Sequence, residues 1–290
     1  MKNILVLTDF SVPAWNATTY AFHLFENTNC VFYFLNTYTP EITSTRFLAD
    51  AVPNVLQNST PALSSKKGLE ALVRNSRKNF KNQLHNYKTI SSYSLLIDEV
   101  KQVVIDSEID YIVMGTIGSS EKDSVFMGRN TVRIVKAVTN CPVLAVPKDF
   151  QFKQLNTIAF ISDLNHFYSS EELDPILMLA KIFHSSVEIV TIQNSLGQLP
   201  ELQRFNHEMI DKKLAAVNHS FQSLAMTDSF SNSVQQFIKQ FKCQLLVMSN
   251  ITNSYMNGIC SDLVIERSTF YSEVPVLLIQ GIKNDVPVNQ

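Results

Sequence analysis

Short unbroken apolar runs alternate along this chain with stripes of apolar residues three to four positions apart. Asn3-Ile4-Leu5-Val6-Leu7-Thr8 is such a run, closed by Asp9, and it predicts a strand buried on both faces. Ser11 can cap the helix that follows, with Pro13 in its first turn; Ala14, Ala17, Ala21, Leu24 and Phe25 then share one helical face. Val31 to Leu35 predicts a second strand, and a long loop carrying Pro40, Pro53 and Pro61 follows it. Leu69, Leu72, Val73, Phe80 and Leu84 mark the next helix, and Thr89 to Tyr93 a weak strand. Ile97, Val100, Val103 and Val104 predict a third helix and Tyr111 to Met114 a strand. Val132, Ile134, Val135 and Val138 predict a fourth helix, and Pro142 to Pro147 closes the series. The order βαβαβαβαβ implies a parallel, doubly wound sheet.

The series then restarts. Thr157-Ile158-Ala159-Phe160-Ile161-Ser162-Asp163 repeats the first strand with its terminal acid. Leu245 to Met248 repeats Tyr111 to Met114, and Val274 to Ile279 repeats Cys141 to Val146. Three strands repeated in matching order indicate a tandem duplication. The expected fold is therefore α/β, two tandem doubly wound parallel-sheet domains, spanning 1–149 and 150–290, joined by the short polar stretch from Pro147 to Gln154.

Composition changes this picture in several places. An apolar content of 45% builds cores and excludes a disordered chain. No apolar run approaches 18 residues, and the first is closed by Asp9 too early for a signal peptide, so neither a membrane span nor a leader is expected. Four cysteines without paired metal-ligand spacing fit a reduced, cytoplasmic compartment and no metal site. A net charge of −2 argues against a nucleic-acid binder. The charge is uneven: residues 1–150 hold 15 Lys and Arg against 13 Asp and Glu, and the remainder 9 against 13. Lys66, Lys67, Arg74, Arg77, Lys78 and Lys81 are either an anionic-partner surface or the solvated face of a helix.

Glycine, only seven in 290 residues, clusters once, at Gly115, Gly118 and Gly128. The first of these follows a predicted strand and the last precedes a predicted helix. That is where phosphates find close backbone approach and free helix-terminal N–H groups, with Asn130 and Thr131 as side-chain donors. Tight turns need glycine at the same places, so a phosphate site and a structural turn both account for the cluster. It is neither a P-loop nor a dinucleotide fingerprint. Six histidines accompany no nucleophile elbow and no zinc-protease motif, and no catalytic residue is expected; Asp9 and Asp163 read as strand-end caps rather than general bases.

Met114-Gly115-Thr116-Ile117-Gly118, followed nine residues later by Gly128, resembles the glycine motif of the universal stress protein family. The strand-Asp start and the closing Asn140-Cys141-Pro142-Val143-Leu144 resemble that family too. The resemblance implies a tandem member whose domains face each other as an intramolecular pair, with a further homodimer compatible with it. It also implies a non-enzymatic stress-adaptation role, a weak ATPase at most. Carried over, phosphate contacts fall to Gly115, Gly118, Gly128, Asn130 and Thr131, and adenosine contacts to Asp9, Thr37 and Met114. The ligand implied is ATP or another adenine nucleotide, with Mg as its counter-ion, in the first domain only. Where the family has Ser or Thr after the last glycine, this chain has Arg129, which can either pair with a phosphate or fill the pocket. Glu121 and Asp123 add negative charge to the same loop. The second domain replaces the glycines with Ser249, Thr252 and Ser261-Asp262. A nucleotide-independent scaffold with a relic glycine motif is the alternative, its protein partner unknown.

Overall fold

The computed structural model describes residues 1–38, 60–118, 125–193, 198–249, 265–266, 270 and 272–280. The first half runs β1 (Lys2–Leu7), α1 (Val12–Leu24), β2 (Cys30–Tyr38), α2 (Thr60–Asn79), β3 (His85–Tyr93), α3 (Leu96–Asp106), β4 (Tyr111–Gly115), β5 (Val125–Met127), α4 (Arg129–Ala137) and β6 (Val143–Val146). The second runs β7 (Thr157–Ile161), α5 (Ser170–Phe183), β8 (Ser186–Gln193), α6 (Glu201–Leu214), β9 (His219–Ala225), α7 (Phe230–Phe241), β10 (Leu245–Ser249), β11 (Ile265–Glu266) and β12 (Val276–Ile279).

Among the described residues, ten strands form one sheet in the order β3-β2-β1-β4-β6-β12-β10-β7-β8-β9. Each half is parallel within itself, as the continuous apolar runs require. The halves are therefore joined edge to edge rather than packed face to face. The join is the antiparallel pair β6–β12, with Leu144 opposite Leu277 and Val143 opposite Leu278. Val143, Leu144, Leu277 and Leu278 are all fully buried. Both apolar layers cross this join. One contains Leu5, Ile112, Ala145, Val276 and Leu246, the other Ile4, Val113, Leu144, Leu277 and Val247. A second, two-stranded antiparallel ribbon, β5 with β11, also bridges the halves. Beside it Phe126 meets Phe270 edge-on, with ring centroids 5.5 Å apart.

Local chemistry explains most boundaries. The Ser11 hydroxyl accepts from the Ala14 amide at 3.3 Å and starts α1. Ser169 and Glu172 form a reciprocal capping box at the start of α5. Three departures from the sequence reading follow the same logic. Pro61 lies in the first turn of α2 rather than in a loop, a position where its missing N–H costs nothing. Leu84 falls in the turn before β3, not on α2, because the Asn82 side-chain oxygen accepts the Leu84 amide at 2.9 Å. The expected strand from Thr89 begins four residues earlier, at His85, and pairs with β2 along its whole length. Trp15 packs edge-on against Phe80 as a core residue. Pro40 and Pro53 lie outside the described residues.

Candidate functional site

Five elements of the first half converge on one cavity at the carboxyl edge of the sheet. Its volume is about 170 Å³. Asp9 comes from the end of β1, Thr37 from β2, Met114 and Gly115 from β4, Gly118 from the loop beyond, and Gly128, Asn130 and Thr131 from the start of α4. Eight of the nine residues singled out in the sequence thus line a single cavity. Arg129 does not; it is exposed at the first position of α4, so of its two readings, phosphate partner or pocket filler, the structure does not show the second. The sequence reading did not assign Leu7, Thr8, Ala14, Leu35, Asn36, Leu96 and Ile117 to the site, and these complete the wall. Asn36 had a signal, a polar residue inside an apolar strand next to Thr37; Leu96 and Ile117 had none.

The floor is built by short-range hydrogen bonds. An Asp9 carboxylate oxygen accepts the Ser11 amide at 3.0 Å, and the Thr8 hydroxyl accepts the Phe10 amide at 3.0 Å. Together they hold Phe10 in the left-handed region, at φ 63°. Asn36 donates its amide to the Thr8 carbonyl at 2.7 Å and ties β2 to the same turn. This is the strand-end capping role expected of Asp9.

The glycines serve close approach, not unusual backbone angles, since no glycine among the described residues has positive φ. A Cβ on Gly118 would lie 3.0 Å from the second Asp9 oxygen, and one on Gly115 would lie 3.1 Å from the Ile117 carbonyl oxygen. Gly128 is the N-cap of α4 and brings no side-chain oxygen to the first-turn amides. Its own N–H donates to the Thr116 carbonyl at 2.8 Å. The Thr131 hydroxyl donates to the Gly115 and Thr116 carbonyls, at 3.1 and 3.0 Å, so its proton holds α4 to the end of β4. Asn130 is exposed at the rim. Glu121 and Asp123 lie outside the described residues.

The corresponding edge of the second half begins with the same turn. The Ser162 hydroxyl accepts from the Leu164 amide, the Asp163 carboxylate from the Asn165 amide, and Leu164 has φ 58°. Beyond it, side chains from the segment before α5 and from α6 pack against the turn. Tyr168 is buried with its hydroxyl 3.3 Å from the Ser162 oxygen and beside Ser249, the residue in place of Gly115. Burial pushes the Tyr168 phenol well above its ordinary range. From α6, Asn206 donates to the Leu164 carbonyl at 2.8 Å and Gln203 to the Asp163 carbonyl at 3.0 Å. Thr252 and Ser261-Asp262 lie outside the described residues.

The family model for universal stress proteins matches residues 1–147, half of the chain. The chain belongs to the universal stress protein family. Among solved structures, a universal stress protein from Archaeoglobus fulgidus DSM 4304 is 13% identical. The alignment covers 96% of this chain and 98% of that one, with a TM-score of 0.67. A universal stress protein from Pseudomonas aeruginosa UCBPP-PA14 is 9% identical over 97% and 93% of the two chains, with a TM-score of 0.57. At these identities the likeness establishes the fold, including the second universal-stress-like region. A universal stress protein solved in complex with cAMP is 15% identical over 44% of this chain and 98% of its own, with a TM-score of 0.32. No curated protein sequence matches the chain significantly. No described helix is long and apolar enough to cross a membrane. Among the described residues, no group of three or more His, Cys, Asp or Glu is placed to hold a metal.

Proposed function

We propose that this universal stress protein binds an adenine nucleotide, ATP in the first instance, in its first domain (residues 1–149) and none in its second (150–290). The carrying observation is the single cavity that unites Asp9, Thr37, Met114, Gly115, Gly118, Gly128, Asn130 and Thr131. Its chemistry fits the ligand. Met114, Leu35 and Ala14 supply an apolar wall, and Asn36, Thr37 and Asp9 supply polar groups for a nucleoside. The side-chain-free N-cap at Gly128 turns the positive end of α4 toward an anion. Clefts that enclose a drug-sized ligand measure roughly 300–1,000 Å³, so a cavity of about 170 Å³ would leave part of a nucleotide outside. Arg129, exposed next to Gly128, would meet phosphates that extend beyond the cavity. Asp9 is the one carboxylate in the lining among the described residues, so a Mg ion would arrive with the phosphates, as Mg commonly does. In the second domain Ser249 stands in place of Gly115, and Gln203 and Asn206 bond the carbonyls of the matching turn, which supports a structural role for that half.

The test is to denature purified protein, assay the supernatant for nucleotide, and titrate ATP and AMP by calorimetry. Absence of both co-purified nucleotide and binding heat at millimolar ligand would sink this reading in favour of a nucleotide-independent scaffold. Arg129→Ser is expected to weaken ATP binding more than AMP binding, because the guanidinium would serve the outer phosphates. Equal effects on the two ligands would remove Arg129 from the site.

A further inference from the structure

The open edge of the sheet in the first half carries a feature unrelated to the nucleotide cavity. β3 is the terminal strand and pairs with β2 over nine residues, from Cys30–His85 to Tyr38–Tyr93. The Cys30 amide donates to the Leu84 carbonyl. In a parallel pair that register turns the backbone groups of alternate residues, Tyr87, Thr89 and Ser91 among them, away from β2 and toward the open edge. A cleft of about 720 Å³ wraps the start of this edge, and a second of about 550 Å³ continues along it between α2 and β3. Arg77 and Lys81 line the first cleft, Arg74 the second, and Lys88 lines both; Glu70 is the single acid in either.

The cations flank the edge on both faces of the sheet. Tyr87 packs with Phe22 and Phe34 on the α1 side, where α2 holds Arg74 and Arg77. Lys88 lies on the opposite face, its ammonium 3.2 Å from the Tyr33 hydroxyl. Arg74, Arg77, Lys81 and Lys88 are all exposed. The Tyr87 hydroxyl, by contrast, is buried without a hydrogen-bond partner in the wall of the clefts. An exposed strand edge is a template for a further strand, and side chains of an added strand alternate between the two faces. An extended ligand with acids on both faces would meet Lys88 on one side and Arg77, with Arg74 beside its Glu70 partner, on the other.

The opposite edge of the sheet has no such arrangement. There the His219 ring bonds the Asp211 carboxylate at 3.1 Å, and the Glu188 carboxylate takes the hydroxyls of Ser186 and Ser220 and the Gln222 amide. We propose that the β3 edge is a docking site for an extended acidic peptide, which adds to the sheet as an eleventh strand. The occupant is a protein segment rather than a nucleic acid because the backbone edge supplies a row of directional amide contacts that only a peptide backbone returns.

The test uses the full chain and a fluorescein-labelled peptide of about eight residues, half Glu and the rest Val and Thr, followed by anisotropy at low salt. Binding is expected, with a roughly tenfold loss in the exposed double variant Arg77→Glu/Lys88→Glu. Thr89→Pro removes an edge donor without touching the β2 ladder, so it should abolish peptide binding while leaving thermal stability and ATP titration unchanged. A proline-interrupted peptide of the same charge should fail to bind. The proposal is overturned if no peptide binds, if the proline-interrupted peptide binds equally, or if neither variant weakens binding. A single-stranded oligonucleotide of equal charge that binds more tightly than the peptide would also overturn it. ATP titration, read separately on the same variants, keeps failure here distinct from failure of the nucleotide reading.

Discussion

The two carboxyl edges of this molecule start from the same turn and end in opposite states. Thr8-Asp9-Phe10 and Ser162-Asp163-Leu164 make the same pair of side-chain-to-amide bonds and the same left-handed residue. In the first half α1 begins three residues after Asp9, and the space above the strand ends remains a cavity. In the second half the chain runs on to Tyr168 before the Ser169–Glu172 capping box starts α5. Those extra residues bring the buried Tyr168 phenol to the Ser162 hydroxyl, and α6 bonds the same turn through Asn206 and Gln203. The same turn thus borders a cavity in one half, while in the other its carbonyls accept hydrogen bonds from α6, as buried polar groups require.

The comparison assumes that both halves report on one folded body, and the join tests that first. Leu277→Ala removes a fully buried side chain opposite Leu144 in the antiparallel seam. Such truncations cost about 2–5 kcal/mol. Because both apolar layers cross the seam, thermal unfolding should remain a single transition at lower temperature. Separation into two transitions would show the halves to be independent and break the comparison. Next in size is Gly118→Val. Its side chain would press on the Asp9 carboxylate, and overpacking of about 1–3 kcal/mol translates to a roughly tenfold or greater loss of ATP affinity. Unchanged affinity in calorimetry would remove the glycine loop from the binding surface. Tyr168→Phe then examines the second edge. Loss of the hydroxyl opposite Ser162 should cost about 1 kcal/mol in denaturant unfolding and leave the ATP titration unaltered. A gain of a second ATP site would show that the tyrosine was the sole barrier.

How far the sequence carries this contrast depends on how local each determinant is. The long apolar runs at Ile4–Leu7, Tyr111–Met114 and Val143–Val146 announce central strands because burial on both faces needs nothing but consecutive apolar residues. The glycine spacing locates the cavity for the same reason: close approach is a property of the residue itself. The β5–β11 ribbon was invisible, since strands of three and two residues are too short to show a period. The edge-to-edge seam was equally hidden, because the partner of β6 lies more than a hundred residues away and pairs antiparallel inside an otherwise parallel pattern. The Tyr168 phenol buried beside Ser162, and the Thr131 proton spent on β4, are decided by tertiary neighbours. No window of sequence contains them.

The smallest effect concerns the outer strands, which both begin with histidine. His219, on β9, bonds the exposed Asp211, whereas His85, on β3, is buried under Phe22 and Phe32 with Nε2 3.0 Å from the Phe25 carbonyl oxygen. That geometry makes Nε2 the donor and leaves Nδ1 buried without a partner. Burial lowers the His85 pKa below 6.5, and the Phe25 carbonyl and the Glu26 charge oppose it only in part. The unfolded chain therefore takes up the proton first. Between the ordinary histidine value and the lower folded one, it binds more protons than the native state, so stability falls as pH drops below about 6.5 and is fully present above it. His85→Gln should remove this component, giving a flatter stability profile from pH 7 to 5 in urea titrations. An unchanged slope would assign the acid sensitivity to other groups and make the two edge histidines equivalent after all.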